Sequence, residues 1–410
     1  MAEIAANTNT RIAEGLSAEL TEQLQRVKQP GMAARGLPNQ AYTDSAYARL
    51  ERDQLLARTW TCIGVASDLP KAGWVKPVDM LGVPLLIVRG RDDRVRVFHN
   101  VCAHRGVKLV TQPGRVKSLI KCPYHCFCYD VDTGALKHTP HFGGPNVDDH
   151  DELDRSLHGL KEVPTAVWFD LIFVNLAGNA PAFADHIRPL AERWQAYDLS
   201  RIRHGGAIGG AMDFHVDCNW KLAVENYCES YHLPWVHPNL NSYSNLNDHY
   251  NIVEPRYAGQ GSLKYAPSDD APLPQFDNLP EWARTGSEYI ALFPNVLLGV
   301  QCDHLFTIWL EPQGPEATVE HLNLYYVGDE AVSDAYRDSR QATLDRWQEV
   351  FAEDVDLVER MQAGRHSPAF DGGFFSPVMD PPTKAFHEWA ARALTEDLLD
   401  RAPEVQRAAE

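Results

Sequence analysis

The sequence predicts an α+β chain, with a small all-β unit ahead of a larger unit of mixed helices and strands. Three observations predict it. Between Gly73 and Leu136, apolar runs alternate with short polar turns at hairpin spacing. Further on, strand-like runs at Ile290–Leu310 and Thr318–Val327 stand between helical periodicities at Val216–His232 and Gln341–Gln362. The 410 residues are enough for two or three domains, each with its own core.

Taken in order, Met1–Gly15 has no apolar run of the kind that marks a secretory leader. Ser17–Val27 reads as a short amphipathic helix. Gln29–Tyr42, containing Pro and Gly, reads as a stretch running over the surface. Asp44–Trp60 reads as a second helix. Val83–Val88 and Val95–Asn100 flank the polar Arg91–Arg94 and form a hairpin. Ser118–Lys121 leads into Cys122, and Tyr129–Leu136, centred on Asp132-Thr133-Gly134, forms another hairpin. The expected boundaries are an N-terminal arm at 1–44 packing on the last domain, a β-domain at 45–165, and a larger domain at 166–410.

Bulk properties exclude several classes. Hydrophobic residues make up 44% and charged residues 23%, as in an ordinary globular enzyme. The net charge of -18 opposes binding to nucleic-acid phosphates. No run reaches the ~18 apolar residues of a membrane helix; the longest candidate, Ala166–Ala177, is short and contains Asp170. Eight cysteines in a chain of this length suggest metal or redox chemistry in the cytoplasm, not a disulfide framework.

Two constellations carry chemistry. The first is Cys102-Ala-His104 with Cys122-Pro-Tyr-His125, one Cys and one His from each of two loops. Zinc fingers usually pair Cys with Cys and His with His, although a mixed Cys/His zinc site remains an alternative. One Cys and one His per loop suits a [2Fe–2S] cluster with both Cys on one iron and both His on the other, which raises its potential. Cys126 and Cys128 read as packed free thiols.

The second constellation lies in Glu229-Ser-Tyr-His232-Leu-Pro-Trp-Val-His237 and in the late helix. Two His five apart do not share a helix face, since five residues turn the chain by about 500°. Pro234 breaks the helix between them. Val350, Phe351, Leu357, Val358 and Met361 form an apolar stripe with Asp354 at its centre. A buried carboxylate needs a metal or a cation, and two His with one carboxylate form the facial triad of non-haem Fe(II) oxygenases. Glu353 and Asp356 fall on the flanking faces and read as solvated charges.

The first set resembles the Rieske domain of ring-hydroxylating oxygenases through Cys102-Ala-His104-Arg105-Gly106 and Cys122-Pro123-Tyr124-His125. Respiratory Rieske proteins carry two more Cys, at positions occupied here by Val107 and Tyr124. One departure is Cys126, where the family usually has Gly; either the backbone there avoids positive φ or Cys126 adopts it with strain. The second set resembles the catalytic domain of the same oxygenases: Asn219-Trp220-Lys221, Glu225-Asn226, Glu229-x-x-His232, His237-Pro238 and Glu353-Asp354. Glu229, where many aromatic-ring dioxygenases have Asp, is similar to the choline monooxygenase, betaine and carnitine oxygenase branch.

The resemblance implies a Rieske [2Fe–2S] cluster, a mononuclear Fe(II) on His232, His237 and Asp354, and a helix-grip-like catalytic domain with a central antiparallel sheet. It implies a homotrimer in which Glu229 bridges the cluster of one subunit to the iron of the next. It also implies a separate flavin or ferredoxin reductase as the electron source, since no Gly-rich nucleotide fingerprint is present. The implied reaction uses O2 to hydroxylate or N-demethylate a small quaternary ammonium compound, for which Tyr227, Trp235, Phe293 and Trp309 are candidate contacts, with Tyr243 and Phe306 also near catalytic segments. An aromatic or other neutral substrate is the alternative within the class. A Rieske electron carrier without oxygenase activity is the alternative outside it.

Overall fold

The computed structural model describes residues 16–267 and 272–396. Met1–Gly15, read above for its lack of a leader, lies outside the described residues. No described helix is long and apolar enough to cross a membrane. The chain divides into two compact units, Ala57–Asn179 and Met1–Leu56 with Ala180–Glu410.

The first unit is all β, with strands β1 (Thr61–Val65), β2 (Trp74–Met80), β3 (Val83–Arg89), β4 (Val95–His99), β5 (Gly114–Arg115), β6 (Leu119–Lys121), β7 (Cys128–Asp130), β8 (Leu136–His138), β9 (Glu162–Val163), β10 (Thr165–Trp168) and β11 (Leu171–Val174). They make a five-stranded sheet in the order β5-β2-β3-β4-β9 and two three-stranded sheets, β1-β11-β10 and β6-β7-β8. The boundaries differ from 45 and 165 for a physical reason. β10 and β11 pair with each other and β11 pairs with β1, so the unit closes only after residue 174.

The second unit is built on an antiparallel sheet of β12 (Ile202–His204), β13 (Ala211–Val216), β14 (His249–Glu254), β15 (Tyr257–Ser262), β16 (Ser287–Leu292), β17 (Val296–Val300), β18 (His304–Pro312) and β19 (Thr318–Val327). The order is β12-β19-β18-β17-β16-β15-β14, with β13 also on β19. The single run Ile290–Leu310 is thus three strands, because tight turns interrupt it. Strands β15, β16 and β17 are buried along their whole length. Gly299 is required there: a Cβ would come within 2.1 Å of the Phe306 ring that lies across it.

Helices cover this sheet: α1 (Ala18–Val27), α2 (Ser45–Glu51), α3 (Trp220–Cys228), α4 (Leu233–Val236), α5 (Pro238–Tyr243), α6 (Arg337–Gly364) and α7 (Pro381–Thr395). Ser17 caps α1 by accepting from Leu20 N–H, and Asp44 caps α2 from Ala46 and Tyr47. The helix expected over Asp44–Trp60 ends early, at Glu51, and passes into a π-helical turn, Arg52–Leu56.

A buried polar network joins the arm to the helices. Lys221, fully buried, pairs with Glu51 at 2.8 Å, with the Tyr42 and Trp220 rings each 5.1 Å from its ammonium. Glu225 accepts from the Tyr42 hydroxyl and faces Arg365 at 3.1 Å and His387 Nε2 at 3.3 Å. Burial alone would raise the Glu225 carboxyl, but His387 and Arg365 hold it down to about 2. Leu37 N–H donates to His387 Nδ1 at 2.9 Å. Gln29–Ala33 is exposed, as expected of a surface run, but from Ala34 the stretch turns inward: Ala34, Leu37 and Tyr42 are wholly buried. Each charge in it has a counter-charge, the condition under which buried ions persist.

Candidate metal centres

In the first unit, two loops are built alike. Cys102 N–H donates to Val107 O at 2.9 Å, and Gly106 N–H to Cys102 O at 3.0 Å. Cys122 N–H donates to Phe127 O at 2.8 Å, and Cys126 N–H to Cys122 O at 3.1 Å. Gly106 and Cys126 thus hold equivalent places, and both have positive φ, 71° and 58°. Of the two outcomes open at Cys126, the left-handed backbone with a side chain is the one adopted, a strained state for a residue with a Cβ.

The Cys102 and Cys122 thiols are buried at the loop bases. The Tyr129 hydroxyl braces the first loop, 3.1 Å from Cys102 Sγ and 3.0 Å from Ala103 N–H. His104 and His125 stand at the loop tips, less buried than the thiols, with ring centroids 4.7 Å apart. Neither Cys102 nor Cys122 is in a disulfide, so both sulfurs are free to bind metal. Two thiols beneath two imidazoles are the donor set a Rieske cluster takes. Cys128 is packed as expected, 3.1 Å from Cys126 O, whereas Cys126 is exposed because its left-handed backbone turns the side chain off the core.

In the second unit, His232, His237 and Asp354 offer ligand atoms within 4.8 Å of one another. Asp354 Oδ1 lies 3.8 Å from His232 Nε2 and 3.1 Å from His237 Nε2. That oxygen is buried without a hydrogen-bond partner, as expected of an atom that belongs on a metal. Three such donors on one side fit a facial triad.

The local chain explains the aim. Asn219 caps α3 through Lys221 N–H, and its own N–H donates to Gln362 Oε1 at 3.0 Å, tying the start of α3 to the end of α6. Gln362 is buried and Met361 exposed, so the apolar stripe ends one turn earlier than the sequence suggests. Helix α3 stops at Cys228, and Glu229 is extended (φ -124°, ψ 160°). The run to His232 is therefore not one helix. Pro234 and Pro238 open the new short helices α4 and α5, where a missing N–H is harmless.

Each imidazole is held from behind. His232 Nδ1 faces Glu229 Oε1 at 2.6 Å, and His237 Nδ1 faces Glu353 Oε2 at 2.7 Å. Both Nε2 atoms are thereby turned to Asp354. Burial works against charge on His237, but Asp354 and Glu353 outweigh it and hold the imidazole above its ordinary value. Glu353 is not a solvated helix charge: it sits one residue before the ligand position, on the edge that reaches His237. Asp356 is exposed and pairs with Arg360 at 2.7 Å.

A cavity opens beside the triad, walled by Tyr227, Tyr289, Phe306, Trp347 and Phe351, with Glu229 and Asp354 at its polar end. Among the described residues no Lys or Arg lines it. Tyr227 and Phe306 are where the sequence placed them. Trp309 is not, because three residues from Phe306 is the opposite face of β18; it stacks on His321 at 3.9 Å. Phe293 packs on Phe386 and Trp389. Trp235 is 73% exposed on α4, and Tyr243 packs on Tyr265 at 5.7 Å. Trp347 and Phe351 could have been found from the α6 stripe, since they stand seven and three residues before Asp354.

Residues 59–154 match the Rieske [2Fe-2S] domain, and residues 204–396 match the catalytic domain of the ring hydroxylating alpha subunit. The carnitine monooxygenase oxygenase subunit of Escherichia coli K12 is 26% identical over 82% of this chain and 86% of its own. The chloroplastic choline monooxygenase of Arabidopsis thaliana is 26% identical over 85% of this chain and 81% of its own. The quaternary ammonium Rieske monooxygenase CntA, described for carnitine oxidation and inter-subunit electron transfer, shares the fold with a TM-score of 0.73 at 22% identity, covering 90% of this chain and 98% of that one.

Two outcomes are expected. Cys126→Gly should stabilise the first unit against denaturant by about 1 kcal/mol by removing the Cβ penalty at positive φ; an unchanged midpoint would show that the loop bears no strain. Glu353→Gln should weaken ferrous iron binding about 10-fold, the lower end of such effects. Iron titration of the stripped protein checks it, with Asp356→Ala expected to match the wild type.

Proposed function

The chain belongs to the Rieske non-haem iron oxygenases, and from that premise we propose that it is the terminal oxygenase for a small quaternary ammonium substrate. Cys102, His104, Cys122 and His125 hold the [2Fe–2S] cluster, and His232, His237 and Asp354 hold the mononuclear iron. When bound, the cluster supplies single electrons and the iron supplies O2 activation. Glu229 and Glu353 fix the imidazoles. The aromatic walls exclude water and face the methylated nitrogen with their ring quadrupoles.

The observation that carries this reading is the cavity wall. Five rings and two carboxylates, with no Lys or Arg among the described lining residues, suit a cation, and Asn226, His249 and Gln260 are the neutral polar groups that border it. A neutral aromatic ring would gain from the rings but not from Glu229 and Asp354. Relatives named for carnitine and choline support the same class. A reading as a bare electron carrier leaves the unpartnered Asp354 Oδ1 without an explanation.

We further place the protein in the cytoplasm as a homotrimer, served by a separate flavin or ferredoxin reductase. Eight unbridged cysteines support a reducing compartment. Glu229 would join the iron of one subunit to the cluster of its neighbour through the imidazole it already holds.

Asp354→Ala should lower iron from about three to about two per chain, with the Rieske spectrum intact and product formation lost. Loss of the cluster signal instead would mean that Asp354 supports the fold. Glu229→Gln should load both metals but slow oxidation of a pre-reduced cluster at least ~10-fold after O2 and substrate are added. Wild-type single-turnover kinetics would show that electrons do not pass through Glu229.

A further inference from the structure

One face of the central sheet carries hydrogen-bonding side chains that the metal site does not use. Gln260, Tyr289, Gly299 and Phe306 form one row across β15 to β18. Ser262 and Ser287 pair in the next row on the same face. Gln301, whose N–H donates to His304 O at 3.0 Å, continues that row. Tyr289 and Phe306 border the cavity that holds His232, His237 and Asp354.

Most polar groups around this patch are occupied. Ser244 Oγ donates to Ser262 Oγ at 3.0 Å, and His249 Nδ1 faces Gln260 Oε1 at 2.5 Å. Gln260 Nε2 donates to Glu229 O at 3.0 Å. Three side chains are different. Among the described residues, Tyr289 Oη, Ser287 Oγ and both ends of the Gln301 amide are buried without a hydrogen-bond partner. Exposure is 6% for Tyr289, 3% for Ser287 and 0% for Gln301. Burial raises the Tyr289 phenol's pKa, and Ser287, Gln301 and Ser244 reach the hydroxyl as hydrogen-bonding neighbours that work against that rise, but none of them meets it in full hydrogen-bond geometry. Buried polar groups with hydrogen-bonding capacity left over are costly, and three in one patch beside a reaction cavity point to a partner that arrives with the substrate.

We propose that the Tyr289 hydroxyl is a substrate-binding contact for an oxygen atom on the tail of the quaternary ammonium ion, with Ser287 and Gln301 orienting the phenol. The methylated nitrogen then faces Phe306, Trp347 and Phe351 beside the triad, and the tail oxygen is drawn towards the sheet. Tyr289 thereby sets which end of the substrate meets the metal. The oxygen can come from a hydroxyl or a carboxylate; the shared chemistry is one hydrogen bond from the phenol. This inference rests on the quaternary ammonium reading.

The test measures dissociation constants on the iron-loaded holoenzyme by calorimetry. The probes are choline, glycine betaine and ethyltrimethylammonium, which carry a hydroxyl, a carboxylate and no oxygen. The wild type should bind at least one oxygenated probe about 10-fold more tightly than ethyltrimethylammonium. The oxygenated probe preferred identifies the source of the oxygen. Tyr289→Phe should bring that ratio to within about 2-fold by weakening only the oxygenated probe, and Gln301→Leu should lower it in the same direction with iron content unchanged. Equal binding of all three probes by the wild type overturns the inference alone, as does a Tyr289→Phe enzyme that keeps its selectivity or loses affinity for every probe equally. Binding of none of the three overturns the ammonium reading, and the inference falls with it.

Discussion

An imidazole can serve a metal only if its ring is held, and here two rings must be held towards one point. Glu229 behind His232 and Glu353 behind His237 do this, at 2.6 and 2.7 Å. Each takes one ring nitrogen and leaves the other facing Asp354. Everything around the site follows from the need to keep these five side chains in place. A rotation of α6 by one residue would carry Glu353 and Asp354 away together, since they are neighbours on that helix.

The register of α6 is therefore held at several points along its length. Gln362 bonds Asn219 at the start of α3 and Tyr42 in the arm. Arg365 pairs with Glu225 in the middle of α3. Trp347 donates through its indole N–H to His304 at 2.9 Å on the sheet. The arm closes the arrangement through Leu37, Tyr42 and Glu51. Buried charges that face counter-charges define one geometry more sharply than apolar packing does, because a shifted register leaves them unpaired.

Much of this was legible in the sequence and some was not. The two donor sets were legible because residue type and spacing carry the chemistry: a Cys and a His per loop, and a carboxylate centred in an apolar stripe. The α+β class and most strands followed from apolar periodicity. Four things escaped. Glu353 was read as solvent-facing because a helical wheel shows angle but not what stands opposite; His237 comes from a distant segment. Glu229 and His232 fell within one expected helix, Val216–His232, whereas Glu229 is extended and folds its carboxylate forward. Trp309 was placed at the cavity by proximity in sequence, while the period of two in β18 sends it to the other face. The buried half of the arm, from Ala34 on, was misread because its polar partners, Glu225 and His387, lie far along the chain.

Charge offers a last step from the site to its substrate. A divalent metal on Asp354, with Glu229 and Glu353 behind the two imidazoles, sets two positive charges against three negative ones and leaves a net of minus one. A bound metal dominates the local field, so this balance decides what the cavity favours. An anionic group beside the triad would add to the excess, and a neutral ring would leave it uncompensated. A quaternary ammonium group brings one positive charge beside the triad without donating a hydrogen bond, which suits walls rich in rings. The carboxylates that aim the imidazoles thus also bias the cavity towards the charge of its substrate. One arrangement of acids thus serves the aim of the imidazoles and the charge of the cavity together.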